Sequence, residues 1–184
     1  MTDRRSVTFH TEGSNSYSPN QGTKVVRFRI AGEGWADPGT FRVMFDLVNT
    51  DATPEVKELR PIGQPHALFR RKSTNSSLND EVEGFGQNLP ATSLDTVTLL
   101  PGLKNKQTIM FKPLSGILNQ SKYIPLRYCP SEIELELAGL LDPIVEPGVD
   151  AISTVLNTTS SWKLENCMVK VDLCTLDNAL DNSY

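Results

Sequence analysis

Few residues in this 184-residue sequence are of types that do chemistry: two histidines, three cysteines and a comb of three glutamates. His10 and His66 are far apart, and neither has a second His, Cys or carboxylate at the spacing of a zinc motif such as HExxH or CxxC. His66 follows a proline in a predicted turn, where a solvated ring needs no ligand to explain it. Cys129, Cys167 and Cys174 form no CxxC pair and leave an odd count. On one strand, Cys167 and Cys174 would lie about 23 Å apart on opposite faces, which excludes a disulfide between them. Glu132, Glu134 and Glu136 are types that serve as paired acids or calcium ligands, but residues spaced by two are also the solvent side of a strand. No GxSxG elbow is present, and neither Gly32-Glu33-Gly34 nor Gly84-Phe85-Gly86 leads into the GK[ST] of a phosphate loop. These groups do not converge, so the expectation is no enzyme, no cofactor, no metal and no small-molecule substrate.

The basic residues are the next candidates. Arg27, Arg29, Arg70, Arg71 and Lys72 interleave with Phe28 and Phe69, a mixture able to contact phosphates and stack on bases. In a strand, however, the aromatics fall on one face and the arginines on the other, so core plus solvated face accounts for them. A net charge of −4 and a pI near 5.2 also argue against nucleic acid as the main partner. The basic patch therefore allows weak nucleic-acid contact at most.

The elements that must carry these residues read as short strands. The chain suits one well-buried domain, with twelve prolines and twelve glycines scattered along it. Residues 1–22 are polar and rich in Ser, Asn, Gly and Thr, and are predicted to be a flexible N-terminal arm. Residues 24–30 alternate, with Val26, Phe28 and Ile30 inward and Arg27 and Arg29 outward. Residues 32–40 (GEGWADPGT) read as a loop. Residues 41–48 form a strand covered on both sides, with Phe41, Val43, Phe45 and Leu47 on one face. Short strands are also expected near residues 67–72, 96–100, 108–111 and 152–156, and residues 73–89 as an exposed loop. Leu114, Ile117 and Leu118 have the i, i+3, i+4 spacing of one helical turn. In residues 132–137, Ile133, Leu135 and Leu137 alternate with the glutamates. A helix capped by Ser131 and Glu134 is the rival, disfavoured by Gly139 and Pro143. Residues 164–176 close the sheet with Cys167, Val169, Val171 and Leu173 inward.

The count comes to roughly seven or eight strands with one or two short helical segments in connections, an all-β jelly-roll β-sandwich. No apolar run approaches the roughly 20 residues of a membrane span, and no apolar stretch follows Arg4 and Arg5 as in a secretory signal. The expected location is intracellular rather than secreted, in keeping with reduced thiols.

Several segments taken in order resemble one family. FRVMFDLVNTD, LRPIGQPHALFRRK, FKPLSGILNQSKYIPLRYCPSEIELEL and VKVDLCTLDNALDNSY are similar to the double jelly-roll major capsid proteins of polinton-like and related eukaryotic DNA viruses, integrated copies included. The likeness is discontinuous and spans residues 15–184; FKPLSGI…NQ…YIPLRY is its most specific part. It implies residues 23–176 as the N-terminal jelly roll and residues 177–184 as the start of a truncated linking helix. No second jelly roll follows, and residues 73–81 are a short polar loop where the family usually carries a longer insertion. The implied function is a structural, capsid-like subunit forming trimers, located in the virion if viral. Leu114, Ile117, Leu118, Tyr123 and Tyr128 are the candidate packing or assembly contacts. The alternative from another class is a stand-alone β-sandwich module binding carbohydrate or a host protein.

Overall fold

Where the sequence alternates apolar with polar side chains, the chain is strand. The computed structural model describes residues 3–22, 24–51, 59, 61, 65–69, 105–113, 115–143 and 159–175. Within them run β1 (Asp3–His10), β2 (Ser16–Tyr17), β3 (Val25–Ile30), β4 (Trp35–Ala36), β5 (Arg42–Asn49), β6 (Lys106–Phe111), β7 (Ile124–Pro125), β8 (Ser131–Glu136) and β9 (Trp162–Thr175). Every pairing is antiparallel. The described helical segments are short 3-10 turns: Pro38–Thr40, Pro65–Leu68 and Gly116–Leu118. None of them is long or apolar enough to cross a membrane.

The longest strand, β9, organises the larger sheet. Along one edge it pairs with β5 and, beyond it, with β4; both β1 and β2 pair with the same β9 residues, which places them on its other edge. β6 lies outside β5, and β7 outside β4. The second sheet contains β3 and β8. The pairing is nested: the first long strand with the last (β1–β9), the second with the second-last (β3–β8), the third with the third-last (β5–β6). The short pair β4–β7 nests between the last two, so among the described strands there are four nested pairs, as in a jelly roll, folded into two facing sheets. The fold is an all-β sandwich.

The core lies between the sheets. Val26, Phe28 and Ile30 point inward from β3, opposite Val43, Phe45 and Leu47 of β5 and Val169, Val171 and Leu173 of β9. Phe69 packs edge-on to Phe45, with centroids 5.8 Å apart, and stacks on Phe111 at 6.0 Å. It also bridges to Leu137 beside β8, so these rings join the two layers.

One break in alternation is structural. Trp162 and Leu164 face inward at even positions, and Cys167, Val169 and Val171 at odd ones. The phase changes at a β-bulge: Met44 pairs with Met168 but Asp46 with Glu165, so Phe45 is opposed by both Asn166 and Cys167. Asn166 takes φ 51°, the left-handed region that asparagine tolerates better than most residues.

Four expectations need correction. The strand expected near residues 67–72 begins instead as the 3-10 turn Pro65–Leu68 with a single bridge at Phe69, and residues 70–72 lie outside the described residues. The segment expected as a flexible arm is largely strand: β1 pairs with β9 along its whole length, β2 pairs with it again, and Tyr17 is 1% exposed. Its polarity is that of an edge strand, in which only Val7 and Phe9 lean on the core. Within the predicted loop 32–40, Trp35–Ala36 is a short strand between β9 and β7. Finally, the apolar turn does not present one face. A three-residue 3-10 turn points neighbouring side chains apart; accordingly Leu118 is buried and Ile117 is 56% exposed. Residues 132–136, in contrast, are strand β8, and the helical rival is ruled out. Leu114, the strands expected at 96–100 and 152–156, the loop at 73–89 and the linking helix at 177–184 lie outside the described residues.

Candidate functional site

The connector from residue 119 to 130 is positioned by two anchors. Ile124 and Leu126 are buried at 6% and 1% exposure, and β7 adds its ladder to β4. A tight turn follows, with the Tyr128 and Cys129 amides both donating to the Pro125 carbonyl at 3.1 and 2.8 Å. The residues flanking these anchors are open to solvent: Tyr128 is 61% exposed and Tyr123 36%. The Arg127 guanidinium lies 5.8 Å from the Tyr128 ring centre, holding an aromatic surface against a cation. Partial burial raises the Tyr123 hydroxyl above its usual range, and Cys174 and Asp37 add to that effect. Ile117, Tyr123 and Tyr128 are therefore exposed apolar or aromatic groups on rigidly held backbone, whereas Leu118 belongs to the core. Ile117 and Leu118 line a mostly apolar cavity of about 480 Å³ together with Ile30, Phe41, Phe111 and Leu135 among others, and neither Tyr123 nor Tyr128 is part of its lining.

The basic patch is placed in part. Arg70, Arg71 and Lys72 lie outside the described residues. Arg27 and Arg29 do project outward from β3, where they meet the glutamate comb of β8: Arg27 opposes Glu134 and Arg29 opposes Glu132. The Arg27 Nε donates to Glu134 Oε1 at 2.7 Å. Across this two-stranded face the comb and the arginines form a ladder of opposite charges, worth a few tenths of a kcal/mol per pair at such exposure.

A buried polar cluster, missed in the sequence, occupies the outer face of the larger sheet. Asp46 is 7% exposed and accepts hydrogen bonds from Lys106 Nζ at 2.7 Å, Thr108 Oγ1 at 2.6 Å and Asn166 Nδ2 at 2.8 Å. Burial alone would raise its carboxyl, but the three donors and the Lys106 charge outweigh burial and hold it below the usual carboxylate range. The bulge brings Asn166 into this cluster, and no sequence spacing announces that. The cluster is satisfied internally, so it braces β5, β6 and β9 rather than awaiting a substrate.

The other chemical candidates fall into place simply. All three cysteines are free thiols. Burial, with the Asp46 charge adding, pushes the Cys167 thiol up to about 12, so it is no nucleophile at neutral pH. Among the described residues no group of three or more His, Cys, Asp and Glu could hold a metal ion. Gly32-Glu33-Gly34 is a turn: Gly34 has φ +124°, and a Cβ there would come within 3.2 Å of the Cys174 carbonyl oxygen. No protein-family model, curated protein or solved structure matches the chain.

Proposed function

We propose that this chain is a structural, capsid-like subunit, the first jelly roll of a double jelly-roll protein, and that it acts through protein–protein assembly. The observation that carries the reading is the nested pairing of β1 with β9, β3 with β8 and β5 with β6, the wiring that the family resemblance implies. Exposed Ile117, Tyr123 and Tyr128 lie in the segment that bears most of that resemblance, and they are the side chains offered to a partner. Aromatic anchors on fixed backbone lose little entropy when they dock. A closed trimer would bury them symmetrically and place the assembly in a virion. Nucleic-acid contact through Arg27 and Arg29 is secondary, since each stands opposite a glutamate.

Light scattering after size-exclusion chromatography tests this reading. The wild-type chain is expected to self-associate, and Ile117→Ser with Tyr128→Ser to shift it to monomer with the melting temperature little changed. A wild-type monomer at tens of micromolar would count against assembly. A second reading, a module binding carbohydrate, draws on the same exposed tyrosines as sugar-stacking platforms. It is favoured instead if glycans raise the melting temperature of a monomer and Tyr128→Ser removes the effect.

A further inference from the structure

Three of the protein's four methionines are brought together by strand register, not by sequence. Met110 of β6 pairs with Met44 of β5, Met44 with Met168 of β9, and Met168 with His10 of β1. Directly paired residues project from the same face of a sheet. The four side chains therefore form one lateral row, His10–Met168–Met44–Met110, on the outer face. The adjacent row is Phe9–Val169–Val43–Phe111, all of it turned toward the core. Thioethers are unusual on the open face of a sheet, where β-branched and polar residues predominate.

The groove confirms which of the four share a space. A surface depression of about 530 Å³ is lined by His10, Met44 and Met168, together with Asn15, Phe45, Asp46, Thr108 and Asn166; Met110 does not line it. Strands lie about 4.8 Å apart, so His10 and Met44 stand roughly 10 Å apart with Met168 midway. A cation above Met168 is within reach of all three, because methionine is unbranched with three rotatable bonds. Two neutral thioethers and one imidazole make a soft, low-charge donor set that suits copper(I) and discriminates against magnesium or calcium. Asp46 also lines the groove, but its charge is met by Lys106 at 2.7 Å within its own cluster, so the donor set is the two thioethers and the imidazole.

We propose that His10, Met44 and Met168 form a three-coordinate site for a soft monovalent cation, copper(I). The site depends on β1 being a strand: in a mobile arm, His10 would not be held beside Met168. It stands independently of the assembly reading above.

The test uses the full chain with Cys129→Ser, which removes the exposed thiol, under anaerobic conditions with ascorbate as reductant. Copper(I) is titrated in competition with bicinchoninate, and the methionine methyl resonances are followed with silver(I) as the diamagnetic surrogate. One copper(I) per chain is expected. The methyls of Met44 and Met168 should shift, and His10→Ala, Met44→Leu and Met168→Leu should each weaken binding at least tenfold. Met110→Leu should leave affinity within about twofold. Leucine conserves volume, so circular dichroism and melting temperature are expected to remain those of the parent. Failure to compete with the chelator, or affinity unchanged in the Met44→Leu, Met168→Leu double variant, overturns the site. So does a double variant that loses only self-association, for then the row is a docking face.

Discussion

Asp46 is the side chain whose environment departs furthest from what its position in a strand suggests. It sits on the non-core face of β5, yet it is buried and receives three donors. Removing the charge while keeping the shape isolates its contribution. Asp46→Asn is expected to cost about 1–2 kcal/mol at pH 7, since hydrogen bonds to a charged group exceed neutral ones. For a chain of this size that is a fall of roughly 2–8 °C in melting temperature. The sign of the pH dependence follows from the lowered carboxyl. A folded value below the unfolded one gives stability that is present above about pH 4 and lost as pH falls through the folded value. The gap between wild type and Asp46→Asn should therefore begin to close as pH falls below about 4 and be gone only below the lowered folded value, where the wild-type carboxyl is neutral too. A gap that persists unchanged in thermal melts at pH 2–3 would mean that shape, not charge, was lost. Asn166 shows why this cluster is hard to read in advance. Its donor reaches Asp46 only because the bulge inserts it, and its partner lies 120 residues away in sequence. The phase change from Trp162 and Leu164 to Cys167 and Val169 does signal the bulge, but not what the bulge aims at.

At the scale of elements, legibility follows burial. β3, β8 and the second half of β9 have two faces that differ in polarity, so alternation marks them directly. β5, in contrast, is buried on both faces from Phe45 onward and is marked by its apolar content as much as by its period. β4 and β7 are two residues long, too short for any period to show. β1 is long enough, but it lies at the edge among the described residues and four of its first residues, Asp3, Arg4, Arg5 and Ser6, are exposed. Val7 and Phe9, two apart beside Thr8, were the only signal of a strand, weak beside the surrounding polar residues. The distinction has a measurable consequence. Arg4 bridges Asp37 at 3.0 Å and Asp172 at 2.9 Å, and Val7 and Phe9 pack on the core. Deleting residues 1–10 should lower stability by about 2–3 kcal/mol from lost apolar burial alone, roughly 4–12 °C by calorimetry. It also bares the β9 edge, so increased aggregation is expected. An arm would leave the melting temperature where it was.

For the molecule as a whole, the nested wiring makes folding a long-range event. Asp3 pairs with Thr175, and β9 pairs with β1, β2, β4 and β5, so nearly every strand of the larger sheet depends on the last one described. Ends so far apart must be brought together before their contacts stabilise anything, and loop closure of that kind slows folding. Refolding followed by tryptophan fluorescence should accordingly take milliseconds to seconds or longer. Trp162 is well placed to report it: the ring is 1% exposed, and its indole N–H donates to the Leu140 carbonyl at 3.1 Å. The wiring also predicts an asymmetry between the two ends. Loss of β1 removes one edge and leaves the sheet joined through β9 to β5 and β4. Among the described strands, loss of β9 leaves β1 and β2 with no partner in that sheet and separates β5–β6 from β4–β7. A chain ending at residue 161 should therefore show no cooperative urea transition, while the chain lacking residues 1–10 keeps one at lower midpoint. A cooperative transition in the chain lacking β9 would mean that the remaining strands hold a core without it, and that the nested pairing is not what unifies the sandwich.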